Sequence, residues 1–138
     1  SSDVCSSDLK LCFDFDCGGW QTEGWVSNGK LSNISGRQGF LEFEIKDGNA
    51  AIQRKGLNLD TKLNQGTFVV HARSNAKGTL KFFANGELIG VSQVSGDNQF
   101  QDQQFVLGAD WSGIIKEIKI EFNAPKGTQF EIDWMRIK

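Results

Sequence analysis

The sequence predicts an all-β domain, an antiparallel β-sandwich of about eight to ten strands. Three observations lead to this fold class. Apolar and polar residues alternate along most of the chain, turn-forming dipeptides separate the alternating runs, and no stretch of about ten residues has the helical period. Strict alternation is typical of strands that have one face in a core and the other in water.

The alternating runs can be followed from the first strand to the last. In each run every second residue is apolar, and we expect these residues to point inward. The predicted inward residues are, in chain order, Leu11, Phe13 and Phe15; Leu41, Phe43 and Ile45; Phe68, Val70 and Ala72; Leu80, Phe82 and Ala84; Ile114, Ile118, Ile120 and Phe122; and Phe130, Ile132 and Trp134.

Turn-forming residues stand between these runs. Asn28-Gly29, Asp47-Gly48, Asn64-Gln65-Gly66 and Asn85-Gly86 each separate two apolar stretches. Asn85-Gly86 is the strongest hairpin prediction, because a type I′ turn requires positive φ at both of its central positions. The runs and turns continue without an internal repeat or linker, which predicts one domain.

The composition agrees with a single domain that has a large apolar core. The chain has 138 residues, with 11 Phe and 4 Trp but no Tyr. No stretch approaches the roughly 20 apolar residues that a membrane helix needs. The N-terminus is polar where a signal peptide would have its apolar region, so we expect none in this sequence.

Residues 1–9 are predicted to lie outside the domain. They are polar and repeat Ser-Ser-Asp, and residues 3–9 resemble the conceptual translation of a sequencing-adapter oligonucleotide. We interpret the segment as a non-native scar, with a disordered native linker as the alternative. The predicted domain is therefore residues 10–138. Asp3 and Asp8 account for the whole formal charge of −2, so that domain is neutral, and we expect no nucleic-acid or membrane partner.

The cysteines within the domain leave two alternatives open. Cys12 and Cys17 would lie about 16 Å apart in one extended strand, beyond disulfide reach unless the chain folds back. Two free thiols and a local disulfide both fit the sequence. A zinc site is weakly supported, because no further cysteine or histidine completes the spacing.

Several segments together resemble the galactose-binding-domain-like jelly rolls, a group that includes carbohydrate-binding modules and accessory domains of secreted bacterial carbohydrate-active enzymes. The resemblance covers residues 10–138. It rests on Phe13-Asp14-Phe15-Asp16, Thr22-Glu23-Gly24-Trp25, the segment 52–60, Asp110-Trp111-Ser112-Gly113 and the segment 130–137.

The resemblance implies a jelly roll whose first and last strands are adjacent. It also implies a non-catalytic module, monomeric within a larger secreted or cell-surface chain, that brings an enzyme to a polysaccharide or oligosaccharide. In similar modules, acidic residues of the first and last strands bind a structural Ca²⁺. Asp16 and Asp133 match such positions, and backbone carbonyls would supply the remaining ligands.

The residues themselves point to no catalytic machinery. The chain has one histidine, His71, and lacks the G-x-S-x-G elbow, the phosphate-binding loop and the H-E-x-x-H zinc motif. Carboxylates are frequent, but most lie on the polar sides of predicted strands, and nothing selects the pair that a glycosidase needs. We therefore expect the isolated domain not to be an enzyme.

Sugar binding needs an exposed aromatic ring with planar polar groups beside it. Phe83 and Lys81 fall on the outward side of one predicted strand, and His71 and Arg73 on the outward side of the strand before it. If the two strands pair, all four side chains share one surface. The alternative is that a loop covers Phe83 and that His71 and Arg73 are simply solvated.

Other tryptophans and a glutamine complete the set of candidates. Trp20, in an apparent loop after two glycines, is either a second stacking platform or packed against the sandwich edge. Gln53 is placed to reach a sugar hydroxyl. Trp25, Trp111 and Trp134 are interpreted as core residues. Beyond carbohydrate binding, a ligand-free structural spacer and a fragment of a β-sandwich glycoside hydrolase or lyase remain as alternatives.

Overall fold

A computed structural model describes residues 10–15, 22–37 and 39–138. These residues form thirteen strands and no helix, and therefore no helix that could cross a membrane. The strands are β1 (Cys12–Phe13), β2 (Trp25–Ser27), β3 (Leu31–Arg37), β4 (Phe40–Ile45), β5 (Ala50–Arg54), β6 (Leu59–Asp60), β7 (Thr67–Ser74), β8 (Gly78–Ala84), β9 (Glu87–Val94), β10 (Gln101–Val106), β11 (Ile114–Ile115), β12 (Ile118–Asn123) and β13 (Gln129–Ile137).

Two antiparallel sheets face each other across the core. Sheet A has the strand order β10-β7-β13-β4-β3, and β1 adds to it by pairing with β13. Sheet B has the order β2-β5-β12-β8-β9, and β6 pairs with β11 as a small separate ribbon. The predicted all-β sandwich is confirmed. The pairing of β1 with β13 also brings the first and last strands together, as the resemblance implied.

The chain passes repeatedly from one sheet to the other. It crosses between β4 and β5, between β7 and β8, between β9 and β10, and between β12 and β13. Strands that follow each other in sequence therefore usually belong to opposite sheets. Their outward side chains then lie on opposite outer surfaces of the sandwich.

Aromatic rings from both sheets fill the space between them. Phe68 of sheet A stacks on Phe82 of sheet B with ring centroids 4.4 Å apart, and both side chains are fully buried. Phe43 and Phe130 of sheet A also pack on Phe122 of sheet B, at steeper interplanar angles of 61° and 53°. This ring-on-ring packing explains why a sandwich of this size needs so many phenylalanines.

The predicted Asn85-Gly86 hairpin is present between β8 and β9. Both residues have positive φ, 49° and 84°, as a type I′ turn requires. The Asn85 side chain also accepts a hydrogen bond from the backbone N–H of Lys116 at 2.8 Å and donates one to the carbonyl of Ile114 at 3.1 Å. The turn therefore fixes the neighbouring segment that joins β11 to β12.

One inward prediction in that segment is wrong. Ile114 is 44% exposed, and its neighbour Ile115 is buried instead. The reason is that β11 ends at Ile115 and β12 begins at Ile118, so the two short strands do not share one continuous alternation.

Cys12, in β1, forms a disulfide bond. Of the two alternatives left open for this residue, the free thiol is therefore wrong.

Candidate functional site

A bulge in β13 reverses its alternation and turns Trp134 outward. Ile132 pairs with Ala72 and Trp134 pairs with His71, so Asp133 is an extra residue with no partner of its own in β7. Beyond the bulge Met135 is fully buried, whereas Trp134 is only half-buried. The prediction that Trp134 belongs to the core is therefore wrong, although Trp25 and Trp111 are buried as predicted.

Four ring side chains form a stack on the outer face of sheet A, which we call the aromatic column. Trp134 stacks on His71 with centroids 5.1 Å apart, and His71 stacks on Phe100 at 5.3 Å. Phe100 stacks in turn on Phe40 at 5.7 Å. The three interplanar angles are 9°, 13° and 16°, so the rings are nearly parallel. All four side chains are half-buried and so remain partly open to solvent.

Phe100 reaches the column from the loop between β9 and β10. The Asp97 carboxylate accepts hydrogen bonds from the Ser95 hydroxyl at 3.0 Å and from the Gln99 N–H at 3.1 Å. The Asn98 N–H bonds to the Ser74 carbonyl at 2.9 Å, which ties the loop to β7. Phe100 was missed by the sequence reasoning, because a single ring in a polar loop has no periodic pattern around it.

A hydrogen-bonded His–Asp pair and an Arg–Glu ion pair hold the polar members of this surface in place. The His71 Nδ1 atom lies 2.8 Å from the Asp102 carboxylate. The Arg73 guanidinium donates through Nε and Nη2 to the same Glu131 oxygen, at 3.1 and 2.7 Å, and its Cζ lies 4.6 Å from the Phe100 ring centroid. Each of these four polar side chains is about one-quarter to one-third exposed. They are therefore positioned before any ligand arrives, yet still reachable.

A pocket of about 190 Å³ lies beside the ion pair between Arg73 and Glu131. Its lining residues are Glu42, Phe43, Glu44, Gln129, Phe130 and Glu131. Glu131 lies directly opposite Glu42 on one side and Arg73 on the other, so it joins the pocket to the ion pair beside Phe100. The carboxylates supply hydrogen-bond acceptors and Gln129 supplies both donors and an acceptor.

The predicted grouping of Phe83 and Lys81 with His71 and Arg73 is wrong. The chain crosses from sheet A to sheet B between β7 and β8, so the two strands do not pair. Phe83 and Lys81 lie on the outer face of sheet B, together with Gln53, while His71 and Arg73 lie on that of sheet A. The sequence pattern assigned each residue to the outward side correctly but could not assign the strands to sheets.

The remaining candidates are only partly within the described residues. Trp20 and Asp16 lie outside them. Asp133 is the half-buried extra residue of the β13 bulge, and Phe13 of β1 pairs with Met135 nearby. In the described part of the chain, no three His, Cys, Asp or Glu side chains converge as metal ligands. The calcium site at Asp16 and Asp133 therefore stays a prediction.

No protein-family model and no curated protein matches the chain. Solved structures match its fold. The module CsCBM6-3 from Clostridium stercorarium, in complex with cellobiose, is 12% identical, with 94% of this chain and 93% of that chain covered and a TM-score of 0.58. A variant of the family 29 module CBM29-2, complexed with mannohexaose, is 14% identical, with 83% and 81% covered and a TM-score of 0.57.

A third match is the carbohydrate-binding module CBM36 in complex with calcium and xylotriose. It is 10% identical, with 93% of this chain and 99% of that chain covered and a TM-score of 0.55. At these identities the likeness establishes the fold, and the predicted resemblance to carbohydrate-binding modules is confirmed at that level. All three neighbours are named as carbohydrate-binding modules.

Proposed function

We propose that this domain is a carbohydrate-binding module that binds a polysaccharide on the outer face of sheet A. The observation that carries the proposal is the partly exposed aromatic column, with ordered ion pairs beside it and a pocket that adjoins them. Sugars present apolar C–H groups on the faces of their rings, and aromatic side chains pack against these groups at low entropic cost.

The polar groups around the column suit the hydroxyls of a sugar. Each hydroxyl donates one hydrogen bond and accepts others, so it pairs with carboxylates and with amide or guanidinium groups alike. Glu42 and Glu44 offer acceptors in the pocket, and Arg73 and Gln129 offer donors. Charged partners make these hydrogen bonds stronger than neutral ones.

The three solved structures of similar fold support one class of ligand. Their structures contain cellobiose, mannohexaose and xylotriose, which are short neutral oligosaccharides. The proposal transfers only this class to the present chain, because fold alone does not determine function.

We also propose that the domain works as an accessory module of a larger secreted or cell-surface bacterial enzyme. A module of this kind raises the effective concentration of its enzyme near the polysaccharide. The disulfide at Cys12 supports an oxidising compartment, since disulfides persist mainly outside the cytosol. We expect the domain to be monomeric within that longer chain.

Two other functions make different predictions. A structural spacer would bind no polysaccharide. The partly exposed rings of the aromatic column argue against a spacer, although Phe100 already covers part of the outer face of sheet A. A glycoside hydrolase or lyase fragment would need two cooperating carboxylates. Glu42 and Glu131 are opposite each other, but the Glu131 carboxylate already accepts two hydrogen bonds from Arg73.

Affinity gel electrophoresis tests the proposal directly. We expect the domain to be retarded by at least one of soluble cellulose derivative, glucomannan or xylan, and not by a gel without polysaccharide. The same preparation should release no reducing sugar from these polymers. Migration unchanged in all three gels would favour the spacer, and release of reducing sugar would favour the enzyme fragment.

Calcium binding at Asp133 is a separate prediction. A ligand that binds only the folded state stabilises it, so millimolar Ca²⁺ should raise the melting temperature by several degrees and EDTA should reverse the change. Asp133→Ala should abolish the shift. Asp102→Ala, which changes another carboxylate on the same sheet, should keep it. If chelation leaves the melting temperature unchanged, the prediction of a calcium site is wrong.

A further inference from the structure

The outer face of sheet B carries a second pocket, on the opposite side of the sandwich from the aromatic column. It has a volume of about 100 Å³ and is lined by Gln53, Phe83, Gly86, Glu117 and Lys119. Lys119 lies at its centre, because it is the direct cross-strand partner of Gln53 on one side and of Phe83 on the other. Three adjacent strands therefore present these side chains in one row.

An aromatic ring forms one wall of this pocket. Phe83 is half-buried on the outer face, next to the fully buried Phe82. The Lys119 ammonium lies 4.3 Å from the centroid of the Phe83 ring. A cation–π contact at an exposed site is weak, so a ligand can replace the ammonium over the ring at little cost.

The opposite wall is held by the Asn85-Gly86 turn. The Asn85 Oδ1 atom accepts a hydrogen bond from the Glu117 N–H at 3.3 Å, and the Asn85 N–H donates to the Glu117 carbonyl at 3.0 Å. Gly86 has no side chain, and the space where a Cβ would lie is empty. The turn therefore fixes the position of Glu117 and leaves the entrance of the pocket open.

The polar side chains of the pocket include both hydrogen-bond donors and acceptors that are available to a ligand. Within the described part of the chain, the Gln53 amide and the Glu117 carboxylate form no hydrogen bond, and the Lys119 ammonium has its cation–π contact with Phe83 but no hydrogen bond or ion pair. Gln53 both donates and accepts, Lys119 donates, and Glu117 accepts. One positive and one negative charge leave the pocket neutral overall, so it has no preference for an ionic ligand.

We propose that this pocket is a second carbohydrate-binding site, which holds a single neutral pyranose unit against Phe83. A pyranose has an apolar face for the ring and vicinal hydroxyls for the mixed polar groups. The pocket has one aromatic ring and so one stacking position, which suits one sugar unit rather than a chain. The inference goes beyond the proposed function, because it makes the domain bivalent: two glycan strands would be held on opposite faces.

Chemical-shift mapping by ¹⁵N NMR tests the second site with cellobiose, xylotriose and mannohexaose as probes. At least one probe should shift the amides of Gln53, Phe83 and Glu117, both in the unmodified chain and in a Trp134→Ala variant. Phe83→Ala should raise the apparent Kd obtained from these shifts about fivefold or more. Leu88→Ala removes an exposed apolar neighbour that does not line the pocket, and it should leave them unchanged.

The outcome separates the two sites. Shifts confined to sheet A around Trp134 would overturn the second site and leave the proposed function standing. Shifts confined to sheet B would support the second site and refute the location proposed for the first. If none of the three sugars shifts an amide on sheet B, or if Phe83→Ala binds as the unmodified chain does, the second site is rejected.

Discussion

Replacing Trp134 with alanine should weaken polysaccharide binding on sheet A at least about tenfold, which corresponds to ~1.4 kcal/mol. Trp134 is the largest ring of the aromatic column and stacks directly on His71. Large aromatic side chains at the centre of an interface dominate its binding energy, often by about 2 kcal/mol or more. The variant also removes one neighbour of His71, so the histidine loses part of its positioning.

The measurement is retardation in affinity gels across a series of polysaccharide concentrations, with circular dichroism to confirm that the variant is folded. Val106→Ala is a matched control, because Val106 is 73% exposed on the same sheet but belongs to neither the column nor the pocket. We expect its binding to be unchanged. Equal retardation of Trp134→Ala and Val106→Ala would place the binding surface elsewhere.

Replacing Phe82 with alanine should destabilise the domain by about 3–5 kcal/mol, the range for deleting a fully buried phenylalanine. Phe82 stacks on Phe68 and also contacts Phe105 and Trp111, so its ring connects the two sheets. Removing the ring leaves a cavity that these rigid neighbours cannot easily fill. Because small domains are only marginally stable, a loss of this size is a large part of the total.

Chemical denaturation by guanidinium, followed by tryptophan fluorescence, measures the free energy of unfolding of each variant. Phe83→Ala is the natural control, since it deletes the same side chain one residue along the same strand. Phe83 faces outward and is only half-buried, so its removal should cost much less. Similar losses for the two variants would contradict the assignment of Phe82 to the core and Phe83 to the surface.

The alternation of apolar residues predicted β1, β4, β7, β8, β12 and β13 and much of the core. The described residues form thirteen strands rather than the expected eight to ten, because strands as short as β2, β6 and β11 show no alternation. It works where a strand is continuous, because side chains then alternate strictly between core and solvent. β8 is an example: Leu80, Phe82 and Ala84 are buried, while Lys81 and Phe83 face outward. The class of fold follows from many such strands and needs no knowledge of how they pair.

The position of Trp134 could also have been inferred from the sequence. Buried residues of β13 occur at Phe130, Ile132, Met135 and Ile137, so the spacing of two is broken once by a step of three. That step is the signature of a bulge. A strict alternation extended past Ile132 assigns Trp134 to the wrong face, and the final apolar residues of the strand reveal the error.

The division of strands between sheets could not be predicted in the same way. His71 and Phe83 are both outward residues of successive strands, and only the crossing between β7 and β8 separates them. That crossing depends on long-range packing of the two sheets. Phe100 is a similar case, because its place in the column depends on loop hydrogen bonds that no local pattern encodes.

The strand order of sheet A has a consequence for folding kinetics. β13 pairs with β7 and β4, so Trp134 meets His71, and Phe130 meets Phe43, across long stretches of chain. Contacts between distant segments require large loops to close before they contribute, and proteins rich in them fold on the millisecond-to-second scale. The aromatic column joins four such segments, namely β4, β7, the loop between β9 and β10, and β13, so we expect it to form only when sheet A is complete. A newly made chain would then gain affinity for its ligand in a single step, together with its native structure.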